Sequence, residues 1–152
     1  MTGIEPFYTK KHANDKTLIF ESRFESGNLA AALKVSEKDY YLALQYDVNT
    51  SGNTQWFFFR VSNTKANRTV RFSLLNLCKP DSLYNDGMKV LIYSEKHAAN
   101  KDVGWHRGGI KVAYYPNHIK KDDAKGARYL YTLTFQYEFE FDDDNVYFAY
   151  CY

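Results

Sequence analysis

The chain has 152 residues, with 20 Lys and Arg against 18 Asp and Glu, and aromatic side chains make up 18% of it. That length suits one domain with a sizeable core rather than two, and so many rings with only three Pro and eight Gly exclude a disordered or coiled-coil chain in favour of packed sheets. Two cysteines, Cys78 and Cys151, exclude a disulfide framework and read as ordinary buried thiols; no apolar window is long enough for a transmembrane helix, and residues 1–11 lack a signal core, so a cytoplasmic address without a membrane partner is expected.

Residues 1–15 are polar and irregular and read as a lead-in, leaving 16–152 as the single domain. Residues 18–25 give the first strand, with Leu18, Phe20 and Phe24 on one face and Glu21, Arg23 and Glu25 on the other. A turn at Gly27-Asn28 leads to strands over 29–35 and 39–47, and residues 49–53 read as a hairpin loop. The next stretch, 54–63, is apolar on both sides, Trp56 and Phe58 standing opposite Phe57, Phe59 and Val61, which predicts a central strand with Trp56 buried. A turn at 65–68 precedes a strand over 69–77, and the tight turns joining these five strands predict antiparallel pairing.

Lys79-Pro80-Asp81 stops that strand; Pro80 starts a short helical turn through Tyr84, and Gly87 ends it. Residues 89–94 read as a strand, 97–102 as a loop, 104–115 as a strand with a bulge at Gly108-Gly109, and 118–128 as a charged connection. The clearest signal comes last. Tyr131, Leu133, Phe135, Tyr137, Phe139 and Phe141 alternate with Thr132, Thr134, Gln136, Glu138 and Glu140, a long half-buried strand. A solvated hairpin turn at 142–145 leads to Val146, Phe148 and Tyr150, and the chain still reads as strand at Tyr152, as a domain with another to follow would. About nine short strands and little helix predict an all-β fold, an antiparallel β-sandwich.

Chemistry is sparse. A metal centre needs several ligands held by supporting contacts, and His12 with Asp15, in the lead-in, does not make one. There is no Gly-x-Ser-x-Gly elbow, Cys78 lacks the surroundings of an activated thiol, and Gly104, Gly108 and Gly109 do not lead from a strand into a helix as a phosphate cradle would. Basic and aromatic residues interleave from Trp105 to Tyr115, a pattern that also suits a nucleic-acid or sugar platform. Core packing claims most rings first in a sandwich this aromatic, and no nucleic-acid partner is expected. Glu138, Glu140, Asp142, Asp143 and Asp144 concentrate negative charge in one stretch, so the remainder of the chain is basic.

Four groups of residues carry a resemblance. They are Thr54-Gln55-Trp56-Phe57-Phe58-Phe59-Arg60-Val61-Ser62-Asn63; Asn76-Leu77 with Lys79-Pro80-Asp81-Ser82-Leu83-Tyr84-Asn85 and Gly87-Met88-Lys89; Tyr93-Ser94; and Gly104-Trp105 with Arg107 and Tyr114-Tyr115. With the run 131–152, in this order and spacing, the chain resembles the N-terminal domain of the cytosolic carboxypeptidases, a subfamily of the M14 zinc metallocarboxypeptidases. The resemblance implies a β-sandwich that precedes a catalytic α/β domain holding zinc through His-x-x-Glu and a later His. No His-x-x-Glu occurs here, so no catalytic or metal residue is carried over, and zinc is expected in the downstream domain. It further implies a parent enzyme that removes glutamates from protein tails, such as those of tubulin, with zinc polarising the scissile carbonyl and activating water.

The segment would then be a non-catalytic accessory domain, with its own C-terminal catalytic domain and acidic, glutamate-rich tails as partners. Lys79, Tyr84, Lys89, Trp105 and Arg107, in irregular connections and an interrupted strand, form the candidate interaction face. The alternative is a free-standing β-sandwich binding module that stacks a carbohydrate or binds a protein on an exposed tryptophan. With Trp56 expected inside, Trp105 is left for that role.

Overall fold

Alternation buries one face of each strand, and the computed structural model, which describes residues 10–45, 56–80, 82–123 and 126–150 (120–128 as backbone only), sets those faces against one another in two sheets. The strands are β1 (Ile19–Glu21), β2 (Leu29–Ser36), β3 (Asp39–Leu44), β4 (Phe58–Ser62), β5 (Thr69–Leu77), β6 (Val90–Ser94), β7 (His106–Gly108), β8 (Ile110–Asp123), β9 (Gly126–Glu138) and β10 (Val146–Ala149). The first sheet runs β1-β4-β10-β6-β7 and the second β2-β3-β5-β9-β8. Among the described residues helix is confined to a 3₁₀ turn, Leu83–Asp86, and to α1 (Glu95–Lys101). The fold is therefore the all-β sandwich that the alternation predicts, with ten strands among the described residues.

The core lies between the sheets. Phe20, Phe59, Val61, Ile92, Val146 and Phe148 of the first sheet meet Tyr40, Leu42, Val70, Phe72, Leu74, Leu133 and Phe135 of the second, all buried. Phe72 is at the middle, its ring centroid 5.2 Å from Phe148, 5.4 Å from Phe135 and 6.1 Å from Phe20. Each such ring removed from water contributes about 1.5 to 3 kcal/mol. Tyr40 takes its hydroxyl inside because that oxygen accepts a hydrogen bond from the Leu18 amide at 3.0 Å.

Pairing departs from the expectation of neighbour-to-neighbour hairpins. Only β2–β3, β6–β7 and β8–β9 join consecutive strands of one sheet; every other link carries the chain across to the opposite sheet. As a result β3 and β5 lie side by side in parallel, Tyr40 opposite Phe72. The hairpin loop expected at 49–53 lies outside the described residues, but β3 and β4 on either side of it belong to different sheets. Alternation sets which face of a strand is apolar and does not say which sheet the strand joins.

The crossings have local causes. Residues 104–115 form two strands rather than one bulged strand, because Gly109, at φ +92, turns the chain from β7 in the first sheet to β8 in the second. The expected solvated turn at 142–145 is instead a bracket between sheets. Asp144 is buried, its carboxylate accepts from Ser94 Oγ, from the Lys96 amide at 3.0 Å and from the Asn145 amide at 2.8 Å, and its own amide donates to Thr64 Oγ1. Thr64 in turn donates to the Phe141 carbonyl, so the 63–68 and 139–145 crossings are stitched together.

Three further elements differ from the sequence reading. Residues 97–102, read as a loop, are mostly helix: Ser94 Oγ accepts from the His97 amide as an N-cap, Ala98 and Ala99 favour helix, and Asp102 in the left-handed region closes it. The charged segment 118–128 is largely the end of a long ribbon, with β8 and β9 paired out to Asp123 and Gly126. Pairing of β9 with β5 stops at Tyr131, so beyond it the ribbon has two strands. The first strand ends at Glu21 because Ser22 turns its hydroxyl to both the amide and the carbonyl of Leu29.

Candidate interaction surface

The outer face of the first sheet is aromatic. Residues opposite one another in a ladder share a face, and Arg60, Tyr147 and Tyr93 are successive partners across β4, β10 and β6. Phe58, two residues from Arg60 on β4, projects the same way. Phe24 leans on this group, 5.0 Å from Phe58 and 5.9 Å from Tyr147. Trp105, just before β7, closes it at 5.9 Å from Phe58 and 5.5 Å from Tyr93. All five rings are half-buried. Over them runs an open groove of about 360 Å³ lined by Phe58, Tyr93, Glu95, Trp105 and Tyr147.

Charges ring this surface. Glu21 holds Arg23 through two side-chain hydrogen bonds, at 2.9 and 2.8 Å, which with the nearby Arg60 bring its carboxyl down to about 2. Arg60 Nε is buried without a hydrogen-bond partner among the described residues. On the far side Arg107 Nη1 donates to the Lys89 carbonyl at 2.9 Å. Glu95, the first residue of α1, is the one carboxylate in the groove lining.

The five residues chosen from sequence divide between two places. Tyr84 is buried, its ring 5.8 Å from that of Tyr150; Arg107 reaches the Lys89 and Tyr150 carbonyls; and Tyr114 donates its hydroxyl to the Lys79 carbonyl. These contacts gather Tyr84, Lys89 and Arg107 around the segment just after β10, with the Lys79 backbone tied to β8. Lys79 and Lys89 are exposed, whereas Tyr84 packs as a core ring. Trp105 belongs instead to the aromatic face. Sequence reasoning did not single out Phe24, Phe58, Tyr93, Glu95 or Tyr147. The available signal was the ring at Phe58, out of phase with Phe57 and Phe59 and read as the second buried side of a central strand.

Trp56 also departs from expectation, being 40% exposed. It sits just before β4, where the strand has not yet entered the sheet, and its carbonyl accepts from Asn28 Nδ2 at 2.9 Å. A second groove, of about 560 Å³, is lined by Lys11, His12, Lys16 and Lys34 among others, with Asp15 and Glu37 as its acids. Lys34 bridges Thr17 and Glu37 at 2.9 and 3.0 Å there. The described residues do not fit a metal: among them no three His, Cys, Asp or Glu side chains gather closely enough to hold one. No helix among them is long and apolar enough to cross a membrane.

Comparison with known proteins follows the same outline. Residues 20–151 match the family model described as the cytosolic carboxypeptidase N-terminal domain. Cytosolic carboxypeptidase 2 of Xenopus tropicalis is 50% identical over 135 residues, covering 89% of this chain and 14% of that protein. Its counterpart from Homo sapiens is 46% identical over 144 residues, 95% of this chain and 16% of that protein. The chain thus spans a small part of the length of the relatives it matches. Among solved structures, a metallo-carboxypeptidase from Burkholderia cenocepacia aligns over 88% of this chain and 29% of its own, with a TM-score of 0.56 at 20% identity, a likeness of fold.

Proposed function

The chain belongs to the cytosolic carboxypeptidase N-terminal domain family, and from that membership we propose that residues 16–152 serve as the non-catalytic accessory domain of a zinc metallocarboxypeptidase, packing on its catalytic domain and shaping the approach to the cleft. The observation that carries this reading is the extent of the match. It takes in nearly the whole sandwich, at 50% identity in one relative, while leaving most of that relative's length to other segments. In this reading those segments hold the zinc and perform the hydrolysis.

The substrates would be glutamate-rich protein tails, such as those of tubulin. The groove lined by Lys11, His12, Lys16 and Lys34 against Asp15 and Glu37, with Lys34 paired to Glu37, keeps a small basic excess, which supports this part of the reading because a positive field attracts an acidic tail and raises its local concentration. The attraction would weaken with salt, over a screening length of about 8 Å at physiological ionic strength. The relatives' description as cytosolic supports a cytoplasmic location.

The test compares three samples on a glutamate-tailed peptide with zinc present: the 152-residue chain, the parent enzyme, and the parent lacking residues 16–152. The chain by itself is expected to show no turnover, and the deletion to lose most of the parent's activity or thermal stability. Hydrolysis by the chain that one substitution within it abolishes would overturn the reading. So would a deleted parent with unchanged kcat/KM and Tm.

A further inference from the structure

On the outside of the first sheet, Phe58, Trp105, Tyr93 and Tyr147 close a four-sided figure. Taken in that order, successive ring centroids are 5.9, 5.5, 6.2 and 6.1 Å apart and successive planes are inclined by 63°, 48°, 69° and 50°. Sides this short bring a group seated over the middle within about 6 Å of all four centroids, the range in which a cation is drawn to the faces of aromatic rings. Glu95 adds a carboxylate to the wall of the same groove. Among the described residues no basic side chain lies within 4.0 Å of that carboxylate.

This combination selects among ligands. An anion meets both the carboxylate and the negative ring faces, and a purely apolar group leaves the carboxylate facing it unpaired. A cation gains from both. Among the described residues no basic side chain sits over these four rings: Arg23 is held by Glu21 and Arg107 by two backbone carbonyls, and the one cation found over a ring is Lys101, on Phe141. A guanidinium fits better than an ammonium because it is planar, weakly hydrated, stacks on rings and pairs with a carboxylate through two parallel donors.

We infer that the outer face of the first sheet is an arginine-binding site, taking an arginine side chain presented by a protein partner, its guanidinium over the four rings and paired with Glu95. The inference rests on this geometry and stands apart from the carboxypeptidase reading. It is tested on the 152-residue chain carrying Trp56→Phe, so that fluorescence reports Trp105 alone. Acetyl-Gly-Arg-Gly-amide is expected to change the emission saturably, the lysine counterpart to bind more weakly, and the citrulline counterpart, alike in shape but uncharged, not to bind. Glu95→Gln should weaken the arginine peptide by about tenfold or more. Glu138→Gln, which removes an exposed carboxylate from the other sheet, should bind as before. No saturable response, an equal response to citrulline or to lysine, or undiminished binding by the Glu95→Gln variant would each overturn the assignment.

Discussion

Two aromatic clusters grow from the same strands and differ by one step along each. On β4, β10 and β6, Phe59, Phe148 and Ile92 turn inward and lose all contact with water, whereas Phe58, Tyr147 and Tyr93 turn outward and remain half-buried. The inner cluster joins the two sheets through Phe72. The outer one leans on a single sheet, leaves a groove above it and includes a carboxylate. Residue type does not separate a structural ring from a surface ring here. Parity along the strand does.

The largest effect that would sharpen this contrast is expected at Phe72. Phe72→Ala removes a fully buried ring from the junction of the sheets and should cost about 4 kcal/mol of unfolding free energy in a urea titration. A loss no larger than that from an outer ring would break the distinction. Next comes Asp144→Ala, which strips a buried carboxylate from Ser94, the Lys96 amide and the start of α1, and should cost about 3 kcal/mol with loss of the short helix by circular dichroism. Asp144→Asn, which keeps an acceptor, should lose less.

Phe58→Ala tests the outer cluster and should cost only about 1.5 kcal/mol, since the ring is half-exposed before it is removed. The smallest effect at neutral pH belongs to Tyr137→Phe, which should change stability by no more than about 0.5 kcal/mol there. Its signature lies in alkali. Burial, together with the negative charges of Asp144 and Glu140, raises the Tyr137 hydroxyl from 10.0 to about 12. The native state thus favours the neutral phenol, and this contribution is complete below pH 10 and is lost as pH rises from 10 toward 12. Unfolding curves taken across that window should fall less steeply for the phenylalanine variant. Identical slopes would mean that the hydroxyl is not shielded as the fold places it.

Much of the fold was legible because burial of alternate residues is local information. The strands over 29–35, 69–77 and 89–94, the stop at Pro80, the end of the helical turn at Gly87 and the long run from Tyr131 are all found close to where periodicity places them. The helix at 95–101 was legible in principle, through Ser94 as a cap and the two alanines, but its brevity leaves little periodicity to see. The candidate surface was much less legible. Trp105 was singled out as a ring beside bases, while its partners come from strands far apart in sequence: Phe58 read as the buried side of a central strand, and Tyr93 and Tyr147 carried no role of their own.

By itself the sequence determined the class of structure, an all-β sandwich, and the family, since both rest on residue order: alternation in one case and matched motifs over 20–151 in the other. Only the tertiary structure decided which strands share a sheet, the parallel contact of β3 with β5, the buried bracket at Asp144 and the four-ring figure beside Glu95. The reason is physical. An apolar face must be covered, and that requirement is written residue by residue, but many arrangements of strands cover it equally well until long-range hydrogen bonds and ring packing choose one.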